Sequence, residues 1–346
     1  MHPEAAHTRP LVMADVAARA GVSHQTVSRV INGHPSVAPL TRERVQRAIA
    51  ELGYRPNLAA RALVTGSTRT IGLVTVKINQ YGPAQTMLGL ENAARAAGYS
   101  LSVSILDDAT AGAMREAVDR FVAQSVDAVV ALSTYDDAAE ALHSIDAPVP
   151  LVAVQVGGAE DRPAVGVDQE TGARLATRHL LGLGHRTVHH VGGTEGWAAT
   201  ARRVSGWRAA LSDAGIEAPA VVHGDWSPRS GYEATAELLR RGGVTAVFAA
   251  NDQMALGLLA ALHEEGLEIP DDVSVVGFDD LPEAPYFTPP LTTVRQDFAE
   301  LGRRGVQLVL ARLAGDDLHP EPVPAPLLVR ASTGPARPGR GRSPRA

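Results

Sequence analysis

Two sets of side chains in this sequence have the types and spacing to recognise other molecules. The first is His24, Gln25, Ser28 and Arg29, which share the polar side of a short helical run from His24 to Ile31. An amide at Gln25 can pair with an adenine edge and a guanidinium at Arg29 with guanine. His24 can donate to a base or a phosphate. The second set is Asn251 and Asp279, each directly after an apolar β-type run, together with Arg203 and Trp226. In an open α/β sheet, ligands bind beyond the carboxyl ends of strands. There an amide and a carboxylate can grip neighbouring hydroxyls of a sugar, an indole can cover an apolar sugar face, and Arg203 adds a head with several donors. Catalysis is a poor fit. Asp279 and Asp280 are adjacent, and adjacent residues rarely hold two carboxyl groups across one bond at the separation glycoside hydrolysis needs. No nucleophile motif, phosphate loop or metal-ligand cluster occurs. His189 and His190 lie in a strand-like run whose alternation sends the two rings to opposite faces.

The first set needs helices to position it. Val12–Ala20 reads as a helix with Val16, Ala17 and Ala20 at helical spacing, and Gly21 breaks it. Ser23 is a suitable N-cap for His24–Ile31, whose apolar face is Val27, Val30 and Ile31. A third helix is expected after Thr41, with Leu40 and Val45 packing across its cap, an inner stripe of Val45, Ile49 and Leu52, and Gly53 at its end. Small residues at Ala17 and Ala20 and the turn at Gly21 are what two tightly crossing helices require. This is the spacing of a helix-turn-helix, in which the second helix enters the major groove. Pro56 then precedes a possible cap at Asn57, and a helix of seven or eight residues after it is too short to stand alone in water.

From Thr70 the pattern changes to apolar β-type runs alternating with helical ones. The runs Ile71–Val76, Ser100–Ile105, Ala128–Leu132, Leu151–Val154, Val188–Gly192, Ala246–Ala250 and Val273–Phe278 alternate with helical stretches such as Thr86–Ala97, Gly112–Gln124, Gly172–Leu183, Arg229–Arg241 and Gln253–Glu265. That alternation predicts parallel α/β layers, and its length predicts two lobes. Asp252 and Asp280 read as structural acids.

Charge separates the same regions. The chain of 346 residues carries a net charge of −6, but residues 1–70 hold nine Arg against four acids, a net of +5. Residues 71–334 come to −15, and the tail adds four Arg and no acid. A basic head on an acidic body points to a polyanion partner for the head alone. There are no cysteines, which excludes disulfides and thiolate metal sites. No signal-like segment or long apolar run occurs, so a cytoplasmic location and no membrane contact are expected.

The segment Asp15–Asn32 resembles the head of the lac repressor (LacI/GalR) family of bacterial transcriptional regulators, most closely in His24-Gln25-Thr26-Val27-Ser28-Arg29. Thr41–Val45 and Tyr54–Asn57 resemble that family's third helix and linker. The likeness continues through Gly224–Ser227, Ala250–Gly257, Ser274–Asp280 and Pro289–Phe298, to about residue 333. It implies an all-α helix-turn-helix DNA-binding head, residues 11–55. A hinge helix and linker, 56–69, would follow, then a two-lobed α/β sensing domain like periplasmic binding proteins, 70–333. The lobes would be about 70–163 with 296–325, and 164–295 with 326–333. Residues 334–346, rich in Pro, Gly and Arg, are expected to be a disordered basic tail.

The resemblance also implies a function. It is that of a repressor, not an enzyme, with no cofactor and no metal, binding pseudo-palindromic operator DNA as a homodimer and associated with the nucleoid when bound. DNA contacts would come from Ser23, His24, Gln25, Thr26, Ser28, Arg29 and Asn32, and from Asn57, Ala60, Arg61 and Leu63 of the hinge. Leu63 matches a leucine that wedges into the central base step. Arg203, Trp226, Asn251, Asp279 and Gln296 would face a small effector, a sugar by this likeness. Gln155, Leu132 and Val76 depart from the family's lactose-responsive pattern, so a galactoside is not implied. Pro335–Ala346 has no leucine, whereas tetramer-forming members add a leucine-repeat helix, so a dimer is expected. The effector is expected to lower operator affinity, and corepression, which some members use, stays open.

Overall fold

The computed structural model describes residues 11–31, 33–55, 62, 65–76, 78–108, 110–132, 142, 144–155 and 163–337. The chain divides into two compact units, residues 1–68 and 69–346.

In the first unit, helices α1 (Met13–Ala20), α2 (His24–Ile31) and α3 (Pro39–Leu52) close around Val16, Ala17, Ala20, Val27, Val30, Val45, Ala48 and Tyr54. Gly21 ends α1 with φ 65°, a left-handed conformation that a side chain would strain, and its N–H returns to the carbonyls of α1. The third helix begins earlier than its sequence suggests. Pro39 sits in its first turn, where a fixed φ and a missing N–H cost nothing. Leu40 therefore lies within the helix and is 77% exposed, so the expected packing of Leu40 on Val45 does not form. Ile49 and Leu52 are only partly buried, and Ala48 takes the inner position beside Val45.

The second unit contains two sheets. The first joins β1 (Thr70–Val76), β2 (Ser100–Leu106), β3 (Ala128–Leu132), β4 (Leu151–Val154) and β5 (Ala164–Val165) in the order β2-β1-β3-β4-β5, all parallel. The second joins β6 (His189–Gly192), β7 (Val222–His223), β8 (Ala246–Ala249), β9 (Ser274–Asp279), β10 (Thr292–Arg295) and β11 (Leu327–Leu328) in the order β11-β10-β9-β8-β6-β7, parallel except for β11. Helices α4 (Tyr81–Ala96), α5 (Ala111–Ala123) and α10 (Phe298–Ala314) cover the first sheet. The second is flanked by α6 (Gln169–Gly182), α7 (Ala198–Asp213), α8 (Pro228–Arg241) and α9 (Asp252–Glu264). Helices on both faces explain why β3, β4 and β8 are apolar at every position, since no face meets water.

Three crossovers join the lobes. The chain leaves the first sheet after β5, returns between β10 and α10, and leaves again after α10 to form β11. Two of these strands are tied together where the Val323 N–H donates to Gly166 O and the Asp168 N–H to Val323 O, both at 2.8–2.9 Å. Ala164–Val165 belongs to the first sheet, so the first crossover falls just past the boundary expected at residue 163.

The C-terminal segment also differs from expectation. Residues 334–337 are fixed on the second lobe. The Gly334 N–H donates to Ser274 Oγ at 3.1 Å, the Ala336 N–H to Leu183 O at 2.9 Å, and Arg337 pairs with Asp271 at 2.7 Å. Buried His185 and Ser274 supply polar partners that a reading of tail composition alone overlooks. No helix among the described residues is long and apolar enough to cross a membrane.

Candidate functional site

Ser23 Oγ accepts the Thr26 N–H at 3.1 Å and lies 2.9 Å from Thr26 Oγ1, so both hydroxyls organise the start of α2. Val27 and Val30 lock the opposite face into the head core. That rotation leaves His24, Gln25 and Arg29 exposed and Thr26 and Ser28 half-buried. Three long polar side chains thus project from the first turns of a capped helix, the end that reaches base edges in a helix-turn-helix. Asn32, Asn57, Ala60, Arg61 and Leu63 lie outside the described residues.

The second set of residues converges on a cavity between the two sheets. Its first-lobe wall includes Gln80, Tyr81, Pro83 and Gln155, and its second-lobe wall Trp197, Arg202, Arg203, Trp226, Asn251 and Asp279, with Gln169 and Gln296 beside the crossovers. All five expected effector residues line it. Asn251 and Asp279 are there because β8 and β9 end there, as strand-end logic requires.

Three hydrogen bonds and one ion pair link four buried side chains in a ring. Arg203 Nε donates to Gln169 Oε1 at 2.9 Å, and Gln169 Nε2 to Gln296 Oε1 at 2.7 Å. Gln296 Nε2 donates to Asp279 Oδ1 at 2.6 Å, and that oxygen lies 3.6 Å from Arg203 Nη2. Arg203 Nη1 also donates to the carbonyl of Ala250, and its guanidinium carbon stands 3.8 Å from the Phe278 ring centroid. All four ring members are more than nine-tenths buried. Burial lowers Arg203 to about 10, and nearby Asp279 opposes that shift. Burial likewise raises Asp279 to about 6 against the pull of Arg203 and Gln296.

Asn251 and Trp226 are set differently. Asn251 caps α9, its Oδ1 accepting the Met254 N–H at 2.8 Å, while Nδ2 donates to Trp226 O at 3.0 Å. It therefore fixes the Trp226 backbone, which has φ 73°. The indole packs against Gly193, where a Cβ would fall 2.1 Å from a ring carbon, and lies 5.3 Å from Trp197. Gln155 and Asp279 also have positive φ, 62° and 115°. Backbone strain in non-glycine residues gathers at ligand sites when surrounding packing holds it.

The adjacent acids do not act as a pair across one bond. Asp280 is drawn to Arg295 at 2.7 Å and Arg330 at 2.6 Å. Asp252 is buried under β9 and β10, accepting from Thr293 Oγ1 at 2.5 Å and the Leu281 N–H at 2.8 Å. Burial and then Asp279 push its carboxyl well above the usual carboxylate range. His190 stacks on Phe248 at 4.6 Å with its Nδ1 2.8 Å from Phe248 O, and burial lowers it to about 3, so it is neutral at pH 7. No group of three or more His, Asp or Glu among the described residues could hold a metal ion. Gln169 is the ring member that sequence reasoning missed: it too follows a strand, but β5 is only two residues long and leaves no readable run.

Residues 12–57 match the model for bacterial regulatory proteins of the lacI family, and residues 177–333 that for a periplasmic binding protein-like domain. The lactose operon repressor of Escherichia coli (strain K12) is 35% identical over 340 residues, covering 98% of this chain and 94% of that protein. Among solved structures, a lac repressor dimer bound to operator and the anti-inducer ONPF superposes with a TM-score of 0.85 at 35% identity, covering 94% of this chain and all of that one. A complex of the transcriptional regulator CelR with cellobiose gives a TM-score of 0.67 at 36% identity, with the same coverage.

Proposed function

The chain belongs to the lacI family of bacterial regulatory proteins, and we propose that it is a transcriptional repressor whose operator affinity is set by a small sugar-like effector in the inter-lobe cavity. What carries this reading is the conjunction, in one chain, of a capped α2 presenting His24, Gln25 and Arg29 with a cavity lined by a linked ring of buried polar side chains. It works as a homodimer on a pseudo-palindromic operator, so that two copies of α2 meet two half-sites. It acts in the cytoplasm, on the nucleoid while bound, and performs no chemical reaction.

On the operator, His24, Gln25 and Arg29 read bases, and Ser23, Thr26 and Ser28 fix the helix or touch the backbone. Asn32 and the hinge residues Asn57, Ala60, Arg61 and Leu63 complete the contact, Leu63 as the wedge. In the cavity, Arg203, Asn251, Asp279 and Gln296 hold polar groups of the effector and Trp226 covers an apolar face. The ring supplies the coupling. Gln169 and Gln296 each sit beside a crossover and bond to each other, so a ligand that draws on Arg203 or Asp279 also loads the strands joining the lobes. The effector thereby lowers operator affinity, and by linkage the operator lowers effector affinity by the same factor. A coupling of about 1–3 kcal/mol changes occupancy usefully.

The test is to select operators from a random library with the full-length protein, then titrate cellobiose, lactose and their relatives with and without the selected duplex. Sequence-specific binding that a sugar weakens, with reciprocal loss of sugar affinity, is expected. Equal sugar affinity in the two states would overturn the mechanism.

A further inference from the structure

One of the three crossovers between the lobes differs from the other two in sequence. Between α10 and β11 the chain reads His319-Pro320-Glu321-Pro322-Val323-Pro324-Ala325-Pro326, with a proline at every second position. The first crossover, Gly166-Val167-Asp168, and the second, Gln296-Asp297, hold none. A proline fixes its own φ and keeps the residue before it out of the helical region. Every residue from 319 to 326 is either a proline or the residue before one. The freedom left to this segment is mainly rotation at ψ of the prolines.

The prolines stand where they cost no hydrogen bond. Val323, 1% exposed, donates its N–H to Gly166 O at 2.8 Å and accepts from the Asp168 N–H at 2.9 Å. Val323 and Ala325 are buried in the core, while Pro322, Pro324 and Pro326 are exposed. An extended chain turns alternate N–H positions outward, and there a missing donor goes unnoticed. The carbonyls are held as well. Arg304 Nη1 donates to Glu321 O at 2.6 Å and to Pro322 O at 3.4 Å, and the Arg295 N–H to Pro326 O at 2.9 Å. Holding a carbonyl holds the ψ that aims it.

The first crossover is built the opposite way. Gly166 has open space where a Cβ would stand, and a glycine leaves the backbone free to turn. The ring amides belong to the two proline-free paths: Gln169 directly follows the first and Gln296 lies in the second. Pro320 and Pro322 line the same cavity from the stiff path.

We propose that residues 319–326 are a rigid strut about which the two lobes pivot, so that a change in lobe arrangement is taken up in the first and second crossovers. This rests on the reading that the effector reaches the operator through the lobes. Domain motion is absorbed by the few residues whose φ and ψ can change. The effector contacts bear on the two paths that can turn, and the third fixes the axis.

The chain has no cysteine, so spin labels can be placed at will. Asp119→Cys on α5 and Arg240→Cys on α8, both exposed, mark the two lobes of the full-length protein. Labelled protein is diluted into unlabelled protein so that one protomer of a dimer carries both labels, and double electron–electron resonance gives the distribution of interlobe distance. Pro324→Ala with Pro326→Ala frees the strut at two residues that are not among the described lining of the cavity. The distribution is expected to be at least about 1.5-fold wider in this double variant than in the parent, since each alanine regains backbone states that proline denies. Gly166→Ala should leave it narrow. Urea unfolding with the parent's m-value shows that the double variant is folded, and Pro324→Ala alone carries the same test if it is not. Whichever of cellobiose and lactose weakens operator binding in the parent should weaken it less in the double variant. An unchanged width overturns the strut and leaves the regulatory reading standing. A wider distribution with an undiminished sugar effect overturns the pivot. Equal sugar affinity with and without operator in the parent overturns the regulatory reading, while a wider distribution would still uphold the strut.

Discussion

Breaking the ring at Gln169 has a cost that can be worked out from its bonds. Gln169→Met keeps the volume but leaves Arg203 Nε without its acceptor at 2.9 Å and Gln296 Oε1 without its donor at 2.7 Å. Each buried polar group stranded this way costs about 1–3 kcal/mol. The expected loss is about 4 kcal/mol, or on the order of 8–12 °C in melting temperature for a unit of this size. Gln296→Met strands Gln169 Nε2 and leaves Asp279 Oδ1 only its 3.6 Å ion pair with Arg203, and should cost a similar or smaller amount. Combined, the two changes remove the Gln169–Gln296 bond only once. The double variant should therefore fall short of the sum by about 0.5–3 kcal/mol, the range for residues in one network. Urea unfolding followed by tryptophan fluorescence measures all three variants, and effector affinity should fall in each as Arg203 loses its orientation. Additivity within about 0.5 kcal/mol would mean that the two amides act independently and that no ring exists to couple cavity and crossover.

Three further outcomes follow from the same structure. Gln25→Ala should change which operator is preferred and cost about 1–3 kcal/mol at the proper site; an unaltered ranking across an operator library would remove Gln25 from the reading set. His190 is held at about 3, below the ordinary 6.5, so the unfolded chain takes its proton first. Its contribution to stability is present above pH 6.5 and drains as pH falls towards 3, by about 2 kcal/mol at pH 5. His190→Phe should lack that loss, and parallel stability–pH curves for the two proteins would contradict it. Ser23→Ala removes the acceptor for the Thr26 N–H, which should cost the head about 1 kcal/mol and weaken all operators alike; sequence-selective weakening would mean that Ser23 reads bases.

What could be read in the sequence was whatever repeats or stands at an end. Runs such as Ala128–Leu132 and Ala246–Ala249 are apolar throughout because both faces are covered, and such runs mark themselves. Asn251 and Asp279 could be picked out because each ends a run of that kind. Gln169 could not, since Ala164–Val165 is two residues long. The start of α3 was misplaced because Pro39 nucleates the helix ahead of the Thr41 cap signal, which turns Leu40 to solvent. The fixed segment at 334–337 was hidden for another reason. Its composition reads as disordered, while its partners His185, Ser274 and Asp271 lie far away in sequence. Local rules see propensity and caps; they do not see which distant group will satisfy a lone carbonyl.

That limit bears on how the cavity works. Arg203 was visible as a donor head, but a guanidinium buried this deeply is costly unless its hydrogens are placed. The chain places them with residues from separate elements: Gln169 at the start of α6, Ala250 after β8 and Asp279 at the end of β9. Gln296, after β10, then ties Asp279 back to Gln169. A ligand that engages Arg203 or Asp279 must compete with bonds that run to two of the three strands joining the lobes. Small changes at the cavity therefore cannot stay local. The positive φ of Gln155, Trp226 and Asp279 has the same implication, since about 1–3 kcal/mol of strain at each is tolerated only where packing holds it. Trp226 is held by the Asn251 amide on its carbonyl and by Gly193 beneath its ring. Enlarging Gly193 would displace the indole directly, whereas Asn251→Ala would free its backbone, so the two changes reach effector affinity by different routes.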